Sequence, residues 1–216
     1  GKLDKNGEAV LLLPQSRKGH RGISLFRLLK GGGLDIILNN EPDFTVRCDD
    51  PAPNSDNIHS IGSKENRFFN IHYPKQQSIL EKYAAIHSVV TLYEPQYPLY
   101  HSLSREQDML KKQFADLQKE TAESELCAAR IQEMNDFLNN IGASLDESAE
   151  QKNDRFREYF RQNIDLSLLY HTHLWNILLE NWFSWHTETF NNDTLLIEDA
   201  NALLSGTETS PDVYHT

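Results

Sequence analysis

The stretch Ser104–Gly142 reads SREQDMLKKQFADLQKETAESELCAARIQEMNDFLNNIG and decides the fold that the 216-residue sequence predicts. Its first residue stands three positions before Gln107, and Ser144 stands three positions before Glu147, a spacing typical of a capping box at a helix start. The glycine at its end is typical of a helix terminus. We therefore predict one continuous helix of at least eight turns over 103–141, running antiparallel to the start of a second helix.

Apolar residues recur along this stretch at the three- and four-residue spacing of a helix, with an interruption at Thr121 and Ser124. A second helical pattern runs from about Asp146 to Phe190, which is long for one helix, so a bend is expected around 163–167. A short helix over 195–204 and a polar, flexible tail over 205–216 complete this half.

The first hundred residues carry shorter patterns. Apolar or β-branched runs predict strands, and a three- to four-residue spacing predicts helices. The predicted strands are 8–13, 34–38, 44–48, 67–73 and 87–93, and the predicted helices are 23–30 and 77–86. The fold class is therefore α+β: a small N-terminal mixed sheet with short helices, followed by a long C-terminal α-helical hairpin. The expected division is a mixed subdomain over 1–100, a helical hairpin over 101–204 and the tail over 205–216.

Charge is divided unevenly along the chain, whose net charge is -11. Residues 1–100 hold 12 Lys and Arg against 11 Asp and Glu, whereas residues 101–216 hold 9 against 21. An acidic half repels nucleic acid and anionic lipid, so neither is expected as a partner. The asymmetry favours a protein partner or a homo-oligomer.

Two further features predict a soluble, cytoplasmic protein. The sequence contains no apolar run of 18 residues, so no membrane span is expected. Cys48 and Cys127 lie in unrelated segments and fit two thiols in a reducing compartment, although a disulfide between them is the alternative.

The segment from Tyr170 to Phe190, YHTHLWNILLENWFSWHTETF, concentrates three tryptophans and three histidines. A helix that is apolar around so much of its circumference is typical of a buried core helix. The competing hypothesis is a partner-binding surface, because tryptophan is enriched in interface hot spots. Its candidate residues are His171, Trp175, Trp182, Trp185 and His186. The apolar residues of this segment cover two neighbouring faces of the predicted helix, and we expect a partner or a second copy of the chain to cover one of these faces.

The same segment does not predict a metal site. Zinc-binding helices place histidines at positions i and i+4, whereas His171 and His173 are two residues apart and face different ways. No cofactor motif is present either, since both GxxxxGK[ST] and GxGxxG are missing. We expect neither a metal nor a cofactor.

A second candidate is the basic, glycine-flanked loop between a predicted strand and a predicted helix. Backbone N–H groups at a helix start, with cationic side chains nearby, form anion or phosphate sites. The candidate residues are Arg17, Lys18, His20, Arg21 and Ser24. The alternative is a solvated basic loop.

These patterns leave two functional hypotheses. The preferred one is a non-enzymatic interaction module of adaptor, regulatory or effector type that docks through the aromatic-rich helical hairpin. The alternative is an enzyme or binding protein for a phosphorylated small molecule that uses the Arg17–Ser24 loop. No catalytic residue is assigned, because no GxSxG or CxxC motif occurs.

Overall fold

The N-terminal part of the fold consists of two small antiparallel sheets. The computed structural model describes residues 4–14, 19–27, 33–49, 54, 56–162, 164–172, 174–190 and 192–208. Strand β1 (Arg21–Arg27) pairs with β2 (Gly33–Asn39), and β3 (Thr45–Cys48) pairs with β4 (Ile58–Ile61). Helices make up most of the chain that follows, so the α+β class is confirmed.

The strands predicted over 34–38 and 44–48 are confirmed as β2 and β3. Two other predictions in this region are wrong. The helix expected over 23–30 is replaced by β1 as far as Arg27, because Ile23 pairs with Ile37 of β2 and the two pack into the core. The strand expected over 8–13 does not form: these residues have no regular structure and are exposed.

Helix α1 (Lys64–Val90) contains the helix expected over 77–86, but the strands expected over 67–73 and 87–93 do not form. Its start is fixed by Ser63, whose hydroxyl accepts a hydrogen bond from the Asn66 N–H at 3.0 Å. Aromatic and β-branched residues favour strands only weakly, and packing against other helices overrides that preference.

Helix α2 (Pro98–Ala122) runs antiparallel to α1 and forms the helical hairpin of this fold. Its first residue is proline, which fits the first turn because its missing N–H has no partner there. The predicted capping residues Ser104 and Gln107 therefore lie inside α2, and the boundary expected at residue 100 also falls within this helix.

The single helix predicted over 103–141 is wrong, because the chain leaves the helix at Glu123 and starts α3 (Cys127–Leu138) only after Leu126. The start of α3 is capped from a distance: the Glu65 carboxylate accepts hydrogen bonds from the Cys127 N–H (3.1 Å) and the Ala128 N–H (2.7 Å). This cap comes from α1, so no local pattern could reveal it.

Asn140, rather than Gly142, ends α3. Its φ of 55° is left-handed, and the hydrogen bonds from the Asn140 N–H to the Phe137 carbonyl and from the Ile141 N–H to the Asp136 carbonyl form a Schellman motif. Asparagine adopts this conformation more readily than most residues with a side chain.

The segment predicted to be helical from about Asp146 to Phe190 is interrupted at the predicted bend, and it is interrupted a second time between α5 and α6, whose bounds follow. Helix α4 (Ala149–Gln162) ends before α5 (Leu166–Tyr170), so the bend expected at 163–167 is confirmed. After α5 come α6 (Leu174–Ser184), a π-helical segment (Trp185–Phe190) and α7 (Asp193–Glu208). The short helix expected over 195–204 is thus confirmed, but residues 205–208 are helical rather than part of a flexible tail. Residues 209–216 lie outside the described part of the chain.

Two apolar clusters hold these elements together. The larger one joins the β1–β2 sheet to the helices from α3 onwards, and the smaller one lies between α1 and α2. The smaller cluster centres on four buried residues: Ile79, Leu110, Phe114 and Leu117.

The capping geometry predicts which serine stabilises α4. The Ser148 hydroxyl accepts from the Gln151 N–H and the Gln151 side chain accepts from the Ser148 N–H, a reciprocal capping box. Ser144 was the expected cap and has no such bond to the start of α4. Ser148→Ala should therefore lower the free energy of unfolding by about 1 kcal/mol, whereas Ser144→Ala should leave it nearly unchanged. Urea denaturation of both variants tests this, and equal effects would contradict it.

Candidate functional site

The predicted anion loop is described only in part, and its local structure differs from the expectation. Arg17 and Lys18 lie outside the described residues. Arg21 and Ser24 belong to β1, so no helix begins here to point its N–H groups at an anion. The Arg21 guanidinium lies 3.0 Å from the Asp165 carboxylate, which provides a protein counter-ion for this cation.

The remaining loop residues pack against the end of α5. The His20 ring meets the His171 ring edge to face, with centroids 5.2 Å apart. Gly22 has a φ of +148°, and a Cβ atom there would lie 2.5 Å from the His171 carbonyl oxygen. Only glycine permits this approach of β1 to α5, so the loop carries a packing constraint.

The tryptophan segment mostly contributes to the core. Trp182 is 6% exposed and belongs to the larger cluster, and Trp175 and Trp185 are half-buried against it. His171 donates from Nδ1 to the Ser167 carbonyl at 2.7 Å. On the outer side of this segment, Phe183 is 57% exposed.

His186 belongs to a buried charged cluster that the sequence did not reveal. The Asp199 carboxylate of α7 lies 3.2 Å from His186 Nε2, 2.5 Å from Arg161 Nε and 3.6 Å from Arg157 Nε. Burial lowers the pKa of His186, and the hydrogen bond that Arg161 donates to Asp199 raises the pKa of Arg161. The cluster ties α4 and the π-helical segment to α7.

A second buried polar cluster connects α1, α2 and α3. Asp136 accepts hydrogen bonds from the side-chain amides of Gln76 (2.5 Å) and Gln118 (3.0 Å), and Gln132 donates to Gln76 at 2.6 Å. Burial raises the pKa of Asp136 to about 6. Gln132 Oε1 is buried and has no hydrogen-bond partner among the described residues, so one acceptor of this network is left unsatisfied there.

A cavity of about 10 Å³ lies between α3 and the helices that follow it, which is close to the space that one water molecule needs. Its lining is apolar or aromatic: Met134, Phe137, Leu138, Phe156, Tyr159, Ile164, Leu169 and Leu178.

The turn that joins α1 to α2 and the residues next to it hold most of the exposed large apolar side chains of the helical hairpin. We call residues 89–99 the hairpin tip. Leu92 is 79% exposed and Tyr97 is 51% exposed. Val89, Tyr93 and Leu99 are exposed as well, and the only charged residue in the tip is Glu94.

Sequence reasoning missed this surface because it assigned 87–93 to a strand. The only signal was a weak one: the tip holds one charged residue in eleven, whereas a chain in which 25% of residues are charged would place about three there. The two buried aspartates gave no such signal, because their partners are distant along the chain.

Searches for similar proteins add no assignment: no family model matches the chain, and neither does any curated protein or solved structure. Among the described residues, no group of three or more His, Cys, Asp or Glu side chains is placed to hold a metal ion. The described helices include none that is both long enough and apolar enough to cross a membrane.

The burial of the tryptophan segment gives a first test. Trp182→Ala should lower the free energy of unfolding by about 3–5 kcal/mol, because it removes a large buried side chain and leaves a cavity. Phe183→Ala, its exposed neighbour, should change stability by less than about 0.5 kcal/mol. Chemical denaturation of the two variants measures the difference. A tolerated loss of Trp182 would show that this face is not core.

The raised pKa of Asp136 predicts a dependence of stability on pH. Because the folded-state pKa of about 6 exceeds the ordinary value of 3.8, folding favours the protonated form. The resulting stabilisation is full below the unfolded pKa and is lost as pH rises to about 6. Two pKa units correspond to roughly 3 kcal/mol. Relative to Asp136→Asn, the wild type should therefore lose about that much stability between pH 4 and pH 7.

Urea denaturation of both proteins across this range measures the effect, and Asp116→Asn, on the exposed face of α2, is the matched control. A constant difference between wild type and Asp136→Asn at all pH values would contradict the prediction.

Proposed function

We propose that this chain is a non-enzymatic protein-interaction module that docks through the hairpin tip. The observation that carries the proposal is the set of exposed apolar and aromatic side chains at the tip. Tyrosine is enriched in interface hot spots, because it supplies a large contact area at a small cost in conformational entropy. Tyr93 and Tyr97 pack edge to face at the tip, with centroids 6.3 Å apart.

The tip is held in shape before any partner arrives. Successive turns are closed by hydrogen bonds from the Leu92 N–H to the Val89 carbonyl (3.0 Å) and from the Tyr97 N–H to the Glu94 carbonyl (3.0 Å). The two long helices fix its position from both sides. A preorganised surface loses less entropy on binding than a disordered segment does, which supports docking by a rigid tip.

This location refines the hypothesis of docking through the tryptophan segment. Exposing Trp182 to a partner would require it to leave the larger core, whereas the side chains of the tip are already in contact with solvent. The docking element proposed here is thus the hairpin of α1 and α2 rather than the one expected over 101–204, and the contact residues lie in its turn.

The chemistry of the tip specifies the kind of partner. A nearly uncharged, apolar convex turn fits an apolar groove on another protein. The chain's net charge of -11 argues against a polyanionic partner such as nucleic acid. Cys48 lies exposed at the end of β3 and Cys127 is buried in α3; two thiols so placed support action in a reducing compartment such as the cytoplasm.

Photo-crosslinking tests the tip directly. A benzophenone amino acid at position 97 should form a covalent adduct with a partner protein in cells, and Leu92→Asp should abolish that adduct because it places a charge in the apolar contact. The matched control is the same amino acid at Met109, which is exposed on the shaft of α2. Equal adducts at both positions, or none at position 97, would contradict docking through the tip.

A further inference from the structure

A short apolar segment near the N-terminus lies exposed without regular structure. In residues 9–13, AVLLL, Val10 is 87% exposed and Leu12 is 89% exposed. A turn at Asp4–Glu8 precedes the segment, and Pro14 follows it. Four consecutive large apolar side chains in water are costly, because each forgoes the free energy of burial. The sequence pattern of this segment is that of a strand, yet it lacks a partner strand in the described residues.

The β1–β2 sheet has one blocked edge. The side-chain amide of Asn66 donates to the Ile37 carbonyl and accepts from the Ile37 N–H, each at 2.8 Å. Both backbone groups of Ile37 therefore point away from β1, and Asn66 occupies the place of a neighbouring strand at the centre of β2.

The other edge is open. Because Ile37 bonds outward, its partner Ile23 forms a non-hydrogen-bonded pair with it, and the backbone groups of Ile23 point away from β2. Leu25, two residues on, points the same way. Neither residue has a backbone hydrogen bond on that side to any described part of the chain, and the Leu25 side chain is 54% exposed. An open apolar edge is a template for strand addition.

The segment and the edge complement each other in one register. An antiparallel pairing that places Leu12 opposite Ile23 also places Val10 opposite Leu25 and the acidic Glu8 opposite the basic Arg27. Apolar side chains then meet on one face, and an ion pair closes the end. Pro14, which has no N–H, falls opposite Arg21, the first residue of β1, so the ladder lacks one N–H donor only at its last pair.

We propose that the N-terminal segment adds to the β1 edge of a second copy of this chain, and that the second copy does the same in return. Within one copy the segment is exposed and the edge has no partner strand among the described residues, so a two-fold exchange would pair the segment and the edge of both copies. This self-association uses residues outside the hairpin tip and does not depend on the proposed docking function.

Disulfide trapping tests the exchange in the full-length chain. In a Cys48→Ser background, a Val10→Cys protein is mixed with a separately tagged Leu25→Cys protein and oxidised gently. A disulfide joining the two tags is expected, because the proposed pair brings their Cα atoms to about 5.5 Å, within the range that a disulfide spans. The matched control replaces Val10→Cys by Leu11→Cys, whose side chain points to the opposite face of the added strand. Its yield of the mixed disulfide should be much lower.

The mass in solution provides a second, independent measurement. Wild type should dimerise, and Leu12→Asp should raise the dimer dissociation constant at least about tenfold, whereas Leu13→Asp, outside the paired face, should not. Both replaced residues are exposed in the single chain, so each variant should keep the wild-type circular dichroism spectrum. A monomeric wild type would overturn the proposal. So would a Val10→Cys/Leu25→Cys double variant that forms its disulfide only within one chain, or equal yields in the two mixtures.

Discussion

The first turn of α1 is the joint on which the other elements depend. The Glu65 side chain is 3% exposed, and its carboxylate accepts hydrogen bonds from two N–H groups at the start of α3 and from the Asn39 amide at the end of β2. The adjacent Asn66 bonds to both backbone groups of Ile37. Two neighbouring side chains thus fix α1, α3 and the first sheet relative to one another.

This joint is stable because each buried polar group in it has a partner. A carboxylate moved from water into a protein interior is costly unless hydrogen bonds replace its hydration. The N–H groups at a helix start are also unsatisfied, and the helix dipole favours negative charge there. The N–H groups of α3 therefore replace the hydration of the Glu65 carboxylate, and the carboxylate in turn satisfies those N–H groups. Helix α3 can thus begin where its own sequence supplies no capping side chain, since the residue at its N-cap is Leu126.

The same joint explains which parts of the fold the sequence predicts. Features that depend on neighbouring residues were readable: the strand β2, the bend before α5 and the final helix. The break between α2 and α3 was not, because its cap lies more than sixty residues away in α1. The long helix α1 was read as two strands around a short helix, since residues such as those in 67–73 favour strands locally and become helical by packing on other helices.

The candidate surfaces were predictable to a different degree. The N-terminal apolar run was recognised as a strand pattern, but its exposure required the structure. The hairpin tip was not predicted, because residues 87–93 were assigned to a strand and not to the turn between two helices. The Asp136 and Asp199 clusters were invisible for a physical reason: each joins side chains from two or three helices, and a single sequence does not state which helices meet.

The distribution of exposed apolar residues distinguishes an interface from ordinary surface. Met109, Phe183 and Ile197 are exposed, but each stands singly along the chain, and scattered apolar side chains are normal on protein surfaces. The hairpin tip and the N-terminal segment differ because several exposed apolar residues lie within a few positions of one another and few charged residues lie among them. Two bodies with a charge of -11 repel each other wherever acidic faces meet. Uncharged, contiguous surfaces are therefore the places where association costs the least electrostatic energy and gains the most from burial.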